Sequence, residues 1–325
     1  MTTTPPPSDD DVITVSNEPV MVSLVGEQPI PVLLPGLYYQ FPEHLLVHTS
    51  LTAPVARRLA RILPNARMVE LKGSPYILDN IIKSLKEITS DYLRPVYNIS
   101  GGTKLMAVAA TLIAIKYEDL FMYLESENRR SRLYTYCYVK ETLSTTKPID
   151  IPELLTIDLY LKAHLPDVRY TGFHLDPDTR QLDAGGKFES AIYHALEQQG
   201  FEVKAGVRPE GVADQLEIDL VVRLGNQVGI AEIKTGDAKG ESVKRGLDQL
   251  AMATGREYLG TYTARFLING RQVGPQHKKL AEARGITIIE LPNYDGSGSL
   301  SPDDSHRLAQ TVRENLSPRG QKPGL

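Results

Sequence analysis

Residues 216 to 234 admit few arrangements. The runs Leu216-Glu217-Ile218-Asp219-Leu220-Val221-Val222-Arg223 and Gln227-Val228-Gly229-Ile230-Ala231-Glu232-Ile233-Lys234 flank the turn pair Gly225-Asn226. In a two-residue hairpin, cross-strand partners sum to a constant, so Leu224 faces Gln227, Asp219 faces Glu232 and Glu217 faces Lys234. Alternation puts Ile218, Leu220, Val222, Ala231 and Ile233 on one face and Asp219, Val221, Val228, Ile230, Glu232 and Lys234 on the other. Both faces are largely apolar, so the hairpin is expected inside a sheet covered on both sides.

Two carboxylates then share one buried face. Like charges directly opposite cost roughly 0.2 to 1 kcal/mol in a sheet, and burial raises that penalty unless a cation lies between them. Oxygen donors of this kind suit Mg2+ or Mn2+. A third acid points the same way: in the helix expected over Lys187 to Gln199, Glu189 shares a face with Ile192, Tyr193 and Leu196, the residues that should pack on the sheet. The competing reading is a surface ion pair between Glu217 and Lys234, with Asp219 solvated at a strand end. Acids held on a metal beside a lysine are a phosphodiester-cutting arrangement.

At 325 residues the chain is long enough for about two domains. Its 41% hydrophobic and 23% charged residues are those of a globular protein, and a formal net charge of -4 excludes an overall basic footprint. Any nucleic-acid contact must therefore come from a local patch or a metal site. The one cysteine, Cys137, cannot form an internal disulfide and is expected on a buried strand. No Cys/His cluster suggests zinc. The start, rich in Thr, Pro and Asp, has no basic region or long apolar core, and no later run approaches ~18 apolar residues. A cytoplasmic protein without a membrane span is expected.

Residues 1–17 read as a disordered tail. Strand Val20 to Val25, helix Ile30 to Tyr39, strand Leu45 to Thr49 and helix Pro54 to Leu63 follow. A helix near Pro75 to Tyr92 precedes strand Val96 to Ile99, helix Thr103 to Lys116, strand Leu120 to Leu124 and a hairpin from Leu133 to about Ile151. This order predicts a Rossmann-like α/β domain over 18–151 with a parallel sheet. A connector follows over 152–186, including a helix Pro152 to His164. The second domain, 187–292, is expected to comprise the helix, the carboxylate hairpin, helix Val243 to Thr254, strand Ala264 to Asn269, helix Gln276 to Arg284 and strand Ile286 to Leu291. A final helix, Asp303 to Leu316, and a loose end fill 293–325.

In the first domain, Asn98-Ile99-Ser100-Gly101-Gly102-Thr103-Lys104 lies between a strand and a helix. Ligands of doubly wound sheets bind at the carboxyl ends of strands, where glycines allow close approach and a helix N-terminus favours negative charge. Gly26-Glu27-Gln28 and Thr49-Ser50 should open onto the same edge, making a donor-rich site for a phosphorylated or nucleotide ligand. No ATPase-type phosphate loop is present. Alternatively, Thr103 merely caps its helix and the glycines merely turn the chain.

On these residues the first domain resembles the CRISPR-associated Rossmann fold (CARF) sensors of cyclic oligoadenylate, which carry a loop like Gly101 to Lys104. Ser23-Leu24-Val25-Gly26-Glu27-Gln28, followed by a proline-led helix, is similar to the subgroup fused to a restriction-endonuclease-like domain. The second domain resembles the PD-(D/E)xK nucleases: a helix acid at Glu189, Asp219, then Glu232-Ile233-Lys234, and Gln249 on the following helix, with Ile218 where the pattern has proline.

The resemblance implies a homodimer whose two sensor domains form one two-fold pocket for cyclic tetra-adenylate, made by a type III CRISPR effector. Binding would reorganise a metal-dependent nuclease that cuts DNA, RNA or both with little sequence preference in antiviral defence. Asp219, Glu232 and the carbonyl of Ile233 are expected to hold Mg2+ or Mn2+. Lys234 would orient the attacking water or stabilise the oxyanion, with Glu189 acting in the outer shell or on a second ion, Gln249 positioning the phosphate and Glu217 tuning Lys234. The connector helix is the candidate for transmitting the signal. One rival is a ligand-independent PD-(D/E)xK DNA endonuclease with a Rossmann-like dimerisation domain; another is a non-enzymatic nucleotide-responsive regulator. For self-degradation of the activator no acid–base pair stands out, and His44 and His48 are expected to flank or line a strand.

Overall fold

Alternation of apolar strands with amphipathic helices builds the first sheet in a computed structural model of the protein, which describes residues 18–125, 129–210, 217–236, 241–255 and 258–318. The expected disordered start, Leu216 at the head of the hairpin and the last seven residues lie outside the described residues. In chain order the first half comprises β1 (Val20–Leu24), α1 (Ile30–Tyr39), β2 (Glu43–His48), α2 (Ala53–Ile62), β3 (Ala66–Glu70), α3 (Leu78–Thr89), β4 (Val96–Asn98), α4 (Lys104–Tyr117), β5 (Leu120–Glu125), β6 (Arg132–Val139), β7 (Thr142–Thr145) and β8 (Ile149–Asp150). The parallel strands run β3-β2-β1-β4-β5, with β6 and β7 continuing antiparallel and β8 paired to β6. Strand order reverses beside β1, so the loops after β1 and β4 diverge and leave a crevice at their carboxyl ends. Cys137 is half-buried on β6.

The second half comprises α5 (Ile157–His164), β9 (Val168–Tyr170), α6 (Ala184–Gln198), β10 (Glu202–Pro209), β11 (Ile218–Leu224), β12 (Gln227–Lys234), α7 (Glu241–Ala253), β13 (Ala264–Asn269), α8 (Pro275–Ala283), β14 (Thr287–Glu290) and α9 (Pro302–Leu316). Its sheet runs β14-β13-β12-β11-β10-β9, with β12 to β14 parallel and β9 to β12 antiparallel. The fold is therefore α/β with two sheets.

Three strands escape the sequence reading. β3 and β9 are edge strands exposed enough to carry charges, and β10 looks like a loop because Lys204, Gly206, Arg208 and Pro209 interrupt its apolar pattern. The connector helix begins at Ile157 rather than Pro152, because the hydroxyl of Thr156 accepts from the Leu159 amide and caps it there. Upstream, the side-chain carbonyl of Asn226, the hairpin's own turn residue, accepts from the amides of Leu154 and Leu155 at 3.0 and 3.1 Å. The turn thus anchors the connector. Helix α9 packs against α6, with Leu308, Val312 and Leu316 in the same apolar cluster as Phe188 and Ile192.

One face of the first sheet is closed by α3 and α4 through Ile81, Leu85, Met106 and Ala110. The opposite face shares a continuous core with the second sheet: Met21, Leu33, Leu59, Tyr160, Val221, Ile230 and Leu247 belong to one buried cluster. The two sheets are thus joined through α1, α2, α5 and α7.

His44 and His164 are buried in this framework. His44 on β2 lies 2.7 Å from the Ser23 hydroxyl, His164 on α5 lies 2.9 Å from the Tyr160 carbonyl, and burial pushes both imidazoles down to about 4. A depressed pKa leaves stability present above the unfolded value of about 6.5 and lost as pH falls through the folded value. Each histidine should therefore remove about 3 kcal/mol between pH 6.5 and 4. Urea denaturation at pH 7 and 4.5 should show the loss, and His44→Gln should reduce it.

Candidate metal centre and ligand pocket

The hairpin folds in the expected register, with Leu224 opposite Gln227 through to Leu220 opposite Ala231. One residue further, the Asp219 carboxylate lies beside β12 and accepts the Ile233 amide at 2.7 Å. Asp219 is 6% exposed, Glu232 2% and Glu189 4%. Lys234 Nζ is 2.5 Å from Glu232 Oε1 and 3.8 Å from Asp219 Oδ2. Lys234 thus stands between the two acids.

The third acid arrives with a partner that the sequence did not reveal. Glu189 Oε1 is 2.6 Å from His174 Nδ1, and its other oxygen accepts the His174 amide at 3.1 Å. The placement depends on Gly186 in the first turn of α6, where a Cβ would stand 2.0 Å from the His174 carbonyl oxygen. His174, Glu189 and Asp219 each offer a ligand atom within 4.8 Å of the others. His174 lies in a Gly/Asp-rich connector 15 residues before Glu189, and no periodic pattern couples the two.

Electrostatics follow from burial. Desolvation, reinforced by the Asp219 charge, pushes Glu232 up; desolvation also raises Asp219, against the pull of Lys234. Burial draws Lys234 down, but Glu232 and Asp219 outweigh it and leave its pKa raised. The hydrogen bond to Glu189 lifts His174 to about 9. Three buried acids thus meet one lysine and one imidazolium. The donor set fits a hard divalent cation, which would take over from His174 and Lys234 the neutralisation of the acids.

The other expected roles are placed differently. Glu217 does not reach Lys234: its carboxylate is 2.5 Å from Arg208 and 3.0 Å from the Thr171 hydroxyl. Strand β10 claims it instead. Ile233 gives its amide to Asp219 and its side chain to the core. Gln249 sits on α7, its buried Oε1 without a hydrogen-bond partner; one turn earlier Gly246 packs where a Cβ would meet Glu232 Cγ at 3.1 Å. Asn269, unforeseen, neighbours Lys234 in the β12–β13 register and is 1% exposed with Oδ1 unpartnered.

In the first half a cavity of about 640 Å³ opens at the crevice. Gly26, Glu27 and Gln28 line it beside Thr49 and Ser50, and Ser100, Gly101, Gly102 and Thr103 form its floor. The glycines are required: a Cβ on Gly101 would stand 2.2 Å from the Leu24 carbonyl oxygen, and Gly102 has φ +71°. Thr103 caps α4 by accepting from Met106 N. Asn98 is fully buried below the loop, where its side chain donates to the Pro31 carbonyl and accepts from Ser100, and Lys104 is exposed outside the cavity wall. His44 and His48 are buried on β2.

No protein-family model and no curated protein matches this sequence. Solved structures do match it. Can2 from Sulfobacillus thermosulfidooxidans, in complex with cyclic tetra-adenylate, superposes with a TM-score of 0.69 over 92% of this chain and 99% of its own, at 14% identity. Protein VC1899 from Vibrio cholerae gives 0.68 over 93% and 99%, at 12% identity. This chain has their fold. A type III CRISPR defence DNA nuclease activated by cyclic oligoadenylate gives 0.63 at 17% identity, over 94% of this chain but 53% of that one. Among the described residues no helix is long and apolar enough to cross a membrane.

Proposed function

We propose that the protein is a cytoplasmic, metal-dependent nuclease of type III CRISPR defence, switched on by cyclic tetra-adenylate. The observation that carries the reading is the buried Asp219, Glu232 and Lys234 cluster joined by Glu189, in the fold that Can2 presents in complex with that ligand. Asp219 and Glu189, with Glu232 and the Ile233 carbonyl, would hold Mg2+ or Mn2+, and His174, on giving up its proton, would offer a nitrogen donor at the same place. The cation would supply charge for the scissile phosphate and an activated water. Lys234, fixed by Glu232, orients the attacking water and faces the developing charge. Gln249 would donate from its side-chain amide N–H to the phosphate.

The cavity at the end of the first sheet is the activator site. Backbone from Gly101 to Thr103 receives phosphates, and Glu27 and Glu70 in its wall can accept from adenine amino groups. A ring of four identical nucleotides matches a two-fold pocket, hence a homodimer. Supporting it, α4 is apolar on its outer side as well, with Val108 and Leu112 45% and 46% exposed and Tyr117 beyond them. DNA and RNA are both candidate substrates.

Cleavage of single-stranded and duplex DNA and of RNA with Mn2+, with and without cyclic tetra-adenylate, tests the reading. Cutting is expected only with the ligand; full activity without it would overturn the sensor assignment.

A further inference from the structure

We infer that the activator pocket is built by both halves of the chain, with Tyr262 of the second half stacking on a base of the bound ring and reporting its presence to the metal centre. This rests on the reading above and adds to it a residue and a route.

Tyr262 lies in the stretch between α7 and β13, yet it lines the cavity whose floor is the Gly101 loop. The residue is 65% exposed. An aromatic side chain held at the rim of a cavity, with no core of its own, is the platform a purine needs. The backbone beneath it is firmly held. The Tyr160 hydroxyl on α5 is 3.0 Å from the Leu259 carbonyl and 2.6 Å from the Thr263 hydroxyl, and Leu259 is fully buried in the core shared by the two sheets.

The same stretch touches the first half directly. Gly260, at φ +77°, leaves no room for a side chain: a Cβ there would stand 2.3 Å from the Gln28 amide oxygen. Gln28 itself lines the pocket. At its other end the segment follows α7, whose Gly246 packs on Glu232 and Lys234. A ring that fills the pocket therefore meets Gln28 and Tyr262 together, and the segment that carries Tyr262 and meets Gln28 is tied to the end of α7, the Leu259 amide donating to the Ala253 carbonyl at 3.2 Å. A ligand shifts an equilibrium only by binding one arrangement better than another, and contact with Tyr262 supplies such a difference. The expected connector helix enters this route through Tyr160 as the anchor of the segment.

The full-length protein, with Tyr262→Ala and Tyr262→Phe variants, is to be titrated with cyclic tetra-adenylate by calorimetry. Tyr262→Ala should weaken binding about tenfold, while Tyr262→Phe, which keeps the ring, should bind within about twofold of wild type. Because the side chain is exposed, the melting temperature of the alanine variant should match wild type, separating lost stacking from lost folding. Amide exchange is the second readout: the ligand should slow exchange at 258–263 and in α7 of wild type and lose that effect in Tyr262→Ala. Wild-type affinity in a folded Tyr262→Ala protein, or unchanged exchange at 258–263 in ligand-bound wild type, would overturn the inference alone. A wild-type protein that does not bind the ring would overturn the reading of the pocket and the inference with it.

Discussion

Asp219→Asn should lower metal-dependent cleavage by roughly a thousandfold, equivalent to about 4 kcal/mol of transition-state stabilisation, without unfolding the protein. The asparagine keeps an acceptor for the Ile233 amide, now 2.7 Å from Asp219 Oδ2, and removes one of three acids whose charges oppose one another in a buried site. Lys234 retains Glu232 at 2.5 Å. Stability should therefore hold or rise by up to about 1 kcal/mol, because relief of like-charge repulsion offsets the lost attraction to Lys234. Single-turnover cleavage with saturating Mn2+ and thermal melting of the same sample check the two halves of this expectation. Wild-type cleavage would remove Asp219 from the metal site, and a large fall in melting temperature would make it a structural residue.

Gly101→Ala should abolish the response to the activator. The added carbon would stand 2.2 Å from the Leu24 carbonyl oxygen, and the opposing group is backbone of a central strand that cannot swing away. The loop must move instead, and with it the floor of the cavity. A loss of roughly a hundredfold in ligand affinity is expected, about 2.7 kcal/mol, together with about 1 to 3 kcal/mol of overpacking strain. Gly200→Ala is the control. It has positive φ, at +81°, but meets nothing within 4 Å, so it should cost about 1 kcal/mol of stability and leave the ligand response intact. Equal ligand affinity in Gly101→Ala and wild type would show that this loop is not the floor of the site.

Much of the candidate metal centre was legible because its key contacts are local. A two-residue turn makes register a matter of counting, and strand alternation then sets which side chains share a face, so Asp219, Glu232 and Lys234 could be brought together from spacing alone. Glu217 shows where counting stops. It has the register to face Lys234, yet Arg208 on β10 takes it, and β10 did not look like a strand at all. The glycine loop was legible for a similar reason: a short strand, two glycines and a capping threonine specify a turn whatever surrounds it.

Determined by the sequence alone were the parallel strands of the first sheet, the hairpin and its acids, and the loops at the carboxyl edge of the first sheet. Each depends on repeats of two or 3.6 residues or on a turn. Tertiary structure alone decided that His174 meets Glu189, that Asn269 lies beside Lys234, and that Tyr262 reaches the pocket of the other half. Those pairings join residues from separate elements, set by the packing of α6 on a backbone that only Gly186 admits and by a core continuous between the sheets. No local period encodes contacts made when two faces close on each other.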